Sequence, residues 1–256
     1  MSPISEKRRT ETYRAFGGPV VGVYGWSNSG KTGLVTRIIG ELKRKRYTVL
    51  SAKHTVHEIG NNAESKTKDS ERHLKAGAEA TLFFNDSEGE LRFGFENVED
   101  AMRLLAALPH DIILVEGMKD AHWPKIAVGD IEPRENTMMR HPENGLEEIV
   151  SYLEKEIATA KAYLLLPGID CELCGHRCLE MAELIASKER TFGDCIVLKK
   201  RADNRVRIKM GGKEVDLGKR FMDDLFYNTL TGMIKTLKGA GEGDIEITIR
   251  REGRGD

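Results

Sequence analysis

The sequence has no apolar run approaching the roughly 20 residues that a membrane-spanning helix needs. A transmembrane protein of that kind is therefore excluded. The first residues, MSPISEKRRTE, are charged where a secretory leader carries an apolar core, so the expected location is cytoplasmic. Net charge is also lacking: 40 Lys and Arg face 41 Asp and Glu, a formal balance of −1. No global field draws nucleic acid or an anionic membrane to such a chain. The basic cluster Lys43–Arg46 closes an apolar helical stretch and reads as a solvated helix end. Cysteine is scarce. There are four, all between residues 171 and 195, and in a reducing compartment such a set suits metal ligation better than disulfides.

What is present is an alternation of apolar runs and helical periods. PVVGVYG (19–25) reads as a buried strand that stops at glycine. LVTRIIGELKRK (34–45) places Leu34, Ile38, Ile39 and Leu42 at helical spacing, and RYTVLSA (46–52) reads as the next strand. This is a βαβ opening. Further strands are expected at the end of AGAEATLFF (76–84), in LRFGFE (91–96), in DIILVEG (111–117) and in KIAV (125–128), with a helix over 98–109 stopped by proline. DIILVEG is nearly continuous in apolar residues, as a central parallel strand requires. A helix over 144–157 is expected to open with Asn144 and Glu147 as a capping box. Strands alternating with helices imply an α/β fold with a mostly parallel sheet.

We divide the chain into a flexible lead-in (1–18), a nucleotide-binding domain (19–162) and a small α+β metal-binding domain (163–256). The last of these includes a hairpin pattern around Gly211-Gly212, an amphipathic helix over 221–239 and a strand, IEITI, at 245–249.

Residues 25–32, GWSNSGKT, match G-x-x-x-x-G-K-[ST] between an expected strand and an expected helix. Gly25 and Gly30 let successive backbone N–H groups turn inward onto phosphate oxygens, and the helix N-terminus adds partial positive charge. Lys31 has the reach for β- and γ-phosphates, and the Thr32 hydroxyl can ligate Mg2+. A phosphate-loop fold places an acid at the end of a neighbouring strand. Glu116, closing DIILVEG, is the candidate, a departure from the usual Asp; its alternative is an exposed acid in a turn. Asp111, at the other end of that strand, is too far away. No N-K-x-D guanine reader is present, and GMKD (117–120) matches it only loosely. His54 and His57, with Glu58, form either a metal or pterin-phosphate site or a polar loop.

Cys171, Cys174, Cys178 and Cys195 follow C-x2-C-x3-C-x16-C. Four thiolates suit a 4Fe-4S cluster or tetrahedral zinc. Zinc ribbons show two separated C-x2-C knuckles, whereas here three cysteines share one tight loop and the fourth returns after a helical stretch. The arrangement resembles the small iron–sulfur domains of corrinoid iron–sulfur proteins, with a loop one residue shorter. We favour the cluster, with zinc as the alternative; a purely structural staple is a serious reading for so small a segment.

GWSNSGKTGL, KHTVHE (53–58), DSERHLKAGA (69–78), DIILVEGMK and WPKIAV (123–128), in this order, resemble the molybdopterin-guanine dinucleotide biosynthesis protein B family, MobB, over roughly residues 19–160. The resemblance implies a phosphate-loop GTP-binding protein with weak GTPase activity. It would assist the guanylyltransferase that attaches GMP to molybdopterin, and so supply cofactor-accepting molybdoenzymes. It also implies frequent homodimers, and molybdopterin is a further candidate ligand. The GTP and Mg2+ set it implies is Gly25, Asn28, Ser29, Gly30, Lys31, Thr32 and Gly33, with Lys53 and His54 at the basic strand-end segment and Asp69 and Glu116 at acidic positions. Lys31 and Glu116 would carry catalysis. The family usually has Gly at 28, Thr at 33 and a second His at 55. Competing readings are a nucleotide-binding adapter without useful turnover, and a metallochaperone GTPase or nucleotide-gated iron–sulfur protein.

Overall fold

A computed structural model of the chain describes residues 6–55, 68–202, 208–210, 213–215 and 220–236. The chain divides into two compact units, residues 1–196 and 197–256.

The first unit is built on a five-stranded parallel sheet. Its strands are β1 (Val20–Gly25), β2 (Val49–Lys53), β5 (Ile112–Glu116), β6 (Lys125–Val128) and β7 (Thr137–His141), in the order β2-β5-β1-β6-β7. β3 (Ala80–Phe84) and β4 (Gly89–Phe93) form a separate antiparallel pair after helix α3 (Lys68–Lys75). Successive strand side chains point to opposite faces, and the core follows that rule. Val21, Val23, Ile112 and Leu114 face α2 (Lys31–Arg44) and α5 (Leu146–Leu165), meeting Leu34, Ile38, Leu42, Ile149 and Leu153. Val20, Ile113 and Val115 face the other way, against Phe16 and, from α4 (Val98–Ala106), Met102. Each large aliphatic side chain buried in this way contributes about 1.5–3 kcal/mol. Gly40 sits exposed in the middle of α2, with nothing within 4 Å of an added Cβ. Gly40→Ala should raise stability by about 1 kcal/mol, read as a shift in the urea midpoint at unchanged slope.

Three expectations need correction. The N-terminal segment forms helix α1 (Glu6–Phe16), with Tyr13 and Phe16 buried, where a flexible lead-in was expected. The cap of α5 is Gly145, without a side-chain bond. The Asn144 amide oxygen instead accepts from the Arg140 backbone N–H at 3.0 Å, closing the turn after β7. The helix runs on to Leu165, so the boundary expected at 162/163 falls inside it. β7, not anticipated, adds an edge strand beside β6.

After α5 the first unit continues through the cysteine loop into α6 (Cys178–Ala186). The second unit contains most of α7 (Ile196–Ala202), the antiparallel pair β8 (Ile208–Met210) and β9 (Lys213–Val215), and α8 (Arg220–Lys235). The hairpin and helix expected there are present; IEITI lies outside the described residues.

Candidate functional site

The phosphate-loop sequence turns sharply between β1 and α2. The Trp26 carbonyl accepts from the Ser29 N–H at 3.2 Å. Asn28 and Gly30 take left-handed backbone conformations, with φ of 60° and 89°. That explains why glycine suits position 28 and why asparagine, which tolerates this region, can replace it. Gly30 caps α2 without a side-chain bond, leaving the first helix amides available to an anion. The Lys31 ammonium donates to the Trp26 carbonyl across the loop at 2.5 Å. The Ser29 hydroxyl is buried with no hydrogen-bond partner among the described residues. Open helix amides and an orphaned buried hydroxyl fit a phosphate-binding loop.

Glu116 ends β5, directly beside β1 in register with Val23. It is 9% exposed, so the turn-acid alternative does not hold. The Thr32 hydroxyl donates to its Oε1 at 2.8 Å, and the Lys53 ammonium lies 3.3 Å from the same oxygen. The His54 N–H donates to the Glu116 backbone carbonyl at 2.9 Å. Gly117 follows at φ 101°, where an added Cβ would lie 3.2 Å from the His54 carbonyl oxygen. The structure thus brings Thr32, Glu116, Lys53 and His54 together at the strand ends beside the loop. Gly33 lies in the first turn of α2, with open space around it. Asp111, at the far end of β5, pairs with Lys161 at 2.6 Å, away from the loop. Asp69 lies in α3, where only the backbone is described, and His57 and Glu58 lie outside the described residues.

The cysteines are placed differently. Cys171 is exposed, Cys174 half-buried, and Cys178 and Cys195 are buried. Left-handed Asp170, Glu172 and Gly175 fold the loop tightly, and the Cys178 N–H donates to Asp170 Oδ1 at 2.8 Å. Burial pushes the Cys178 thiol pKa up. The donor chemistry fits a thiolate-bound centre, but among the described residues no three His, Cys, Asp or Glu side chains are gathered closely enough to hold a metal ion. His176 pairs with Glu180 at 2.9 Å and is partly buried.

Sequence reasoning missed α1 as a part of this region. The Arg9 guanidinium bridges Glu156 of α5 at 2.8 Å and Glu183 of α6 at 2.6 Å, and the Tyr13 hydroxyl donates to Glu156 at 2.8 Å. Arg14 donates to the Gly168 carbonyl and Glu6 pairs with Arg177. The only local signal was Tyr13 and Phe16 spaced three apart among charges.

The chain is similar to known proteins along much of its length. Residues 20–151 match the family model "Molybdopterin guanine dinucleotide synthesis protein B", MobB, and residues 166–197 match one described as "Putative Fe-S cluster". A curated protein of Methanocaldococcus jannaschii, "Putative molybdopterin-guanine dinucleotide biosynthesis adapter protein", is 25% identical over 86% of this chain and 92% of its own length. The "Molybdopterin-guanine dinucleotide biosynthesis adapter protein" of Haemophilus influenzae is 31% identical over 42% of this chain and 61% of its own. Among solved structures, Bacillus subtilis MobB is 21% identical, covering 52% of this chain and 96% of that one at a TM-score of 0.42. A MobB homologue from Bacillus stearothermophilus is 23% identical over 55% and 98%, at 0.38. The family match spans more than half of the sequence and contains the loop, the Glu116 strand and the Lys125 strand, so the chain belongs to the MobB family of molybdopterin guanine dinucleotide synthesis proteins.

Proposed function

We propose that this protein is a GTP-binding adapter of molybdopterin guanine dinucleotide assembly, with slow hydrolysis at most. The observation that carries the reading is the Thr32–Glu116–Lys53 cluster lying beside a phosphate loop whose Ser29 hydroxyl is unpartnered. Loop amides and Lys31 would hold the phosphates, with Lys31 exchanging the Trp26 carbonyl for phosphate oxygen. Thr32 and Glu116 would hold Mg2+, which offsets phosphate charge when bound. Glu116 Oε1 already accepts from Thr32 and is paired with Lys53, so it is not free to act as a base; this favours an adapter over an efficient hydrolase.

The four cysteines, as a 4Fe-4S or zinc set, belong to the same reading. A bound cluster supplies one-electron capacity or a staple for the segment. Partners of matching chemistry are the guanylyltransferase and the molybdoenzymes that receive the product. Self-association has support in the β3–β4 hairpin, which exposes Leu82, Phe83, Phe84 and Leu91.

Calorimetric titration with Mg-GTP tests the reading. Lys31→Ala removes one charge-assisted contact, and its expected cost of about 1.5–3 kcal/mol weakens binding roughly 10- to 150-fold. Equal affinities, or no heat with the unmodified protein, overturn the proposal.

A further inference from the structure

One oxygen of Glu116 serves two groups at once. Its Oε1 accepts from the Thr32 hydroxyl at 2.8 Å and lies 3.3 Å from the Lys53 ammonium. Lys53 and Glu116 are register partners on adjacent parallel strands, so the sheet itself sets this pair. The two side chains differ in freedom. Lys53 is 65% exposed along its side chain, whereas Glu116 is buried at the end of a strand flanked on both sides. The backbone beyond Glu116 is held as well. The Gly117 N–H donates to the Val23 carbonyl at 2.9 Å. Lys125 is 1% exposed, and its ammonium donates to the carbonyls of Lys119 at 2.8 Å and Ala121 at 2.7 Å, 6.0 Å from the centre of the Tyr24 ring. Burying an ammonium costs free energy unless it is well bonded, and here its bonds fix the segment after β5. The Asn136 amide donates to the His122 carbonyl at 2.8 Å, further along the same segment. Glu116 thus stands on a braced frame, and Lys53 is the half of the pair that can move.

A metal site built on Thr32 and Glu116 therefore starts with a counter-ion already in place. The Thr32 hydroxyl is compatible with a metal, because its oxygen keeps lone pairs while its hydrogen points to Glu116. The Lys53 ammonium is not. It has donors only, and like charges this close repel, most strongly when one is divalent. We propose that Lys53 is a built-in counter-ion of Glu116 that has to leave the carboxylate when Mg2+ is bound, so that it opposes metal-dependent nucleotide binding. The exchange replaces one cation by another on a fixed acid. It keeps Glu116 neutralised in the free protein, and it reserves the site for a metal that arrives with the extra negative charge of a polyphosphate. A Lys53 that gripped phosphate directly would have the opposite effect on Mg-GTP affinity. The inference rests on the proposed function for its ligand; the Lys53–Glu116 pair and its braced frame do not.

The test is calorimetry of the full chain with GTP, once in excess Mg2+ and once in EDTA. The ratio of the two dissociation constants measures how much the metal contributes, and it isolates the coupling between Lys53 and Mg2+ from any effect of Lys53 on the nucleotide alone. Lys53→Met keeps the length of the side chain without its charge and should raise that ratio roughly 5-fold, as expected for an exposed ion pair. Lys53→Arg keeps the charge and should not raise it. Lys119→Met removes an exposed cation that makes no ion pair with Glu116, and should leave the ratio within about twofold. Urea midpoints close to the parent's show that each variant is folded. A ratio that is unchanged or lowered in Lys53→Met overturns the proposal, as does an equal rise in Lys53→Met and Lys119→Met, which would reflect net charge alone. A parent that binds no GTP in either condition overturns the phosphate-loop reading and this inference with it; GTP binding without the raised ratio overturns this inference alone.

Discussion

Arg9→Met is expected to destabilise the first unit by about 3–5 kcal/mol, a change readily measured as a lowered urea midpoint. Arg9 is only 14% exposed, and its guanidinium joins two carboxylates from helices that are distant in sequence. Glu156 is 5% exposed. Without Arg9, the Tyr13 hydroxyl is the one hydrogen-bond donor left to it among the described residues, so a buried carboxylate loses its counter-charge. Burial opposes the charge on Arg9, but Glu156, Tyr13 and Glu183 outweigh it and hold the guanidinium protonated. Burial and the Glu156 carboxylate together push the Tyr13 phenol up, so Tyr13 stays a donor.

Two comparisons identify the cause. Adding Glu156→Gln to Arg9→Met removes the stranded charge and should recover at least half of the loss, because both partners of the pair are then neutral. Arg9→Lys keeps the charge without the fork that reaches both acids, and should fall between wild type and Arg9→Met. A loss below 1 kcal/mol for Arg9→Met would mean the bridge is no more than a surface pair. Because Glu183 lies on α6, which begins at buried Cys178, the same substitution should also speed alkylation of that thiol.

This bridge also shows what the sequence conceals. The β1–α2–β2 opening was legible because its signals are local: a valine-rich run, glycines at fixed spacing and an apolar stripe of period 3.6. Lys31, Thr32 and Glu116 followed from the same local signals, since strand ends of a parallel sheet meet at one edge. EKRRTETYRAF offers almost no apolar face, and it becomes an ordered helix through pairs made with Glu156 and Glu183. No window of sequence contains both partners. Lys125 was visible only as part of a strand. Its role depends on two carbonyls that converge after the β5 segment folds back. Asn144 was misread as a cap because two local uses of its side chain compete, and the β7 turn prevails. The cysteine spacing suggests a ligand set, and the second family match overlaps it, but spacing carries no information on how side chains converge.

Gly25→Ala should abolish Mg-GTP binding in calorimetry, with a loss of at least 100-fold, or about 2.7 kcal/mol. The reason is steric and lies on β1 itself. A Cβ at Gly25 would lie 2.4 Å from the Val128 carbonyl oxygen and 2.6 Å from the Ser29 hydroxyl. The first contact is with the backbone of β6, which pairs with β1 and cannot yield cheaply. The second is with the Ser29 hydroxyl, which is buried without a hydrogen-bond partner among the described residues. Relief must therefore come from moving the loop away from β6, which disperses the amides that converge on phosphate. Overpacking of this kind costs about 1–3 kcal/mol of stability, so the variant should remain folded at room temperature while losing its ligand. Gly40→Ala, in the same helix-and-strand unit but with open space around it, should bind Mg-GTP as the parent does and unfold later. If Gly25→Ala binds Mg-GTP like the parent, the phosphates are held somewhere other than at the β1–α2 turn.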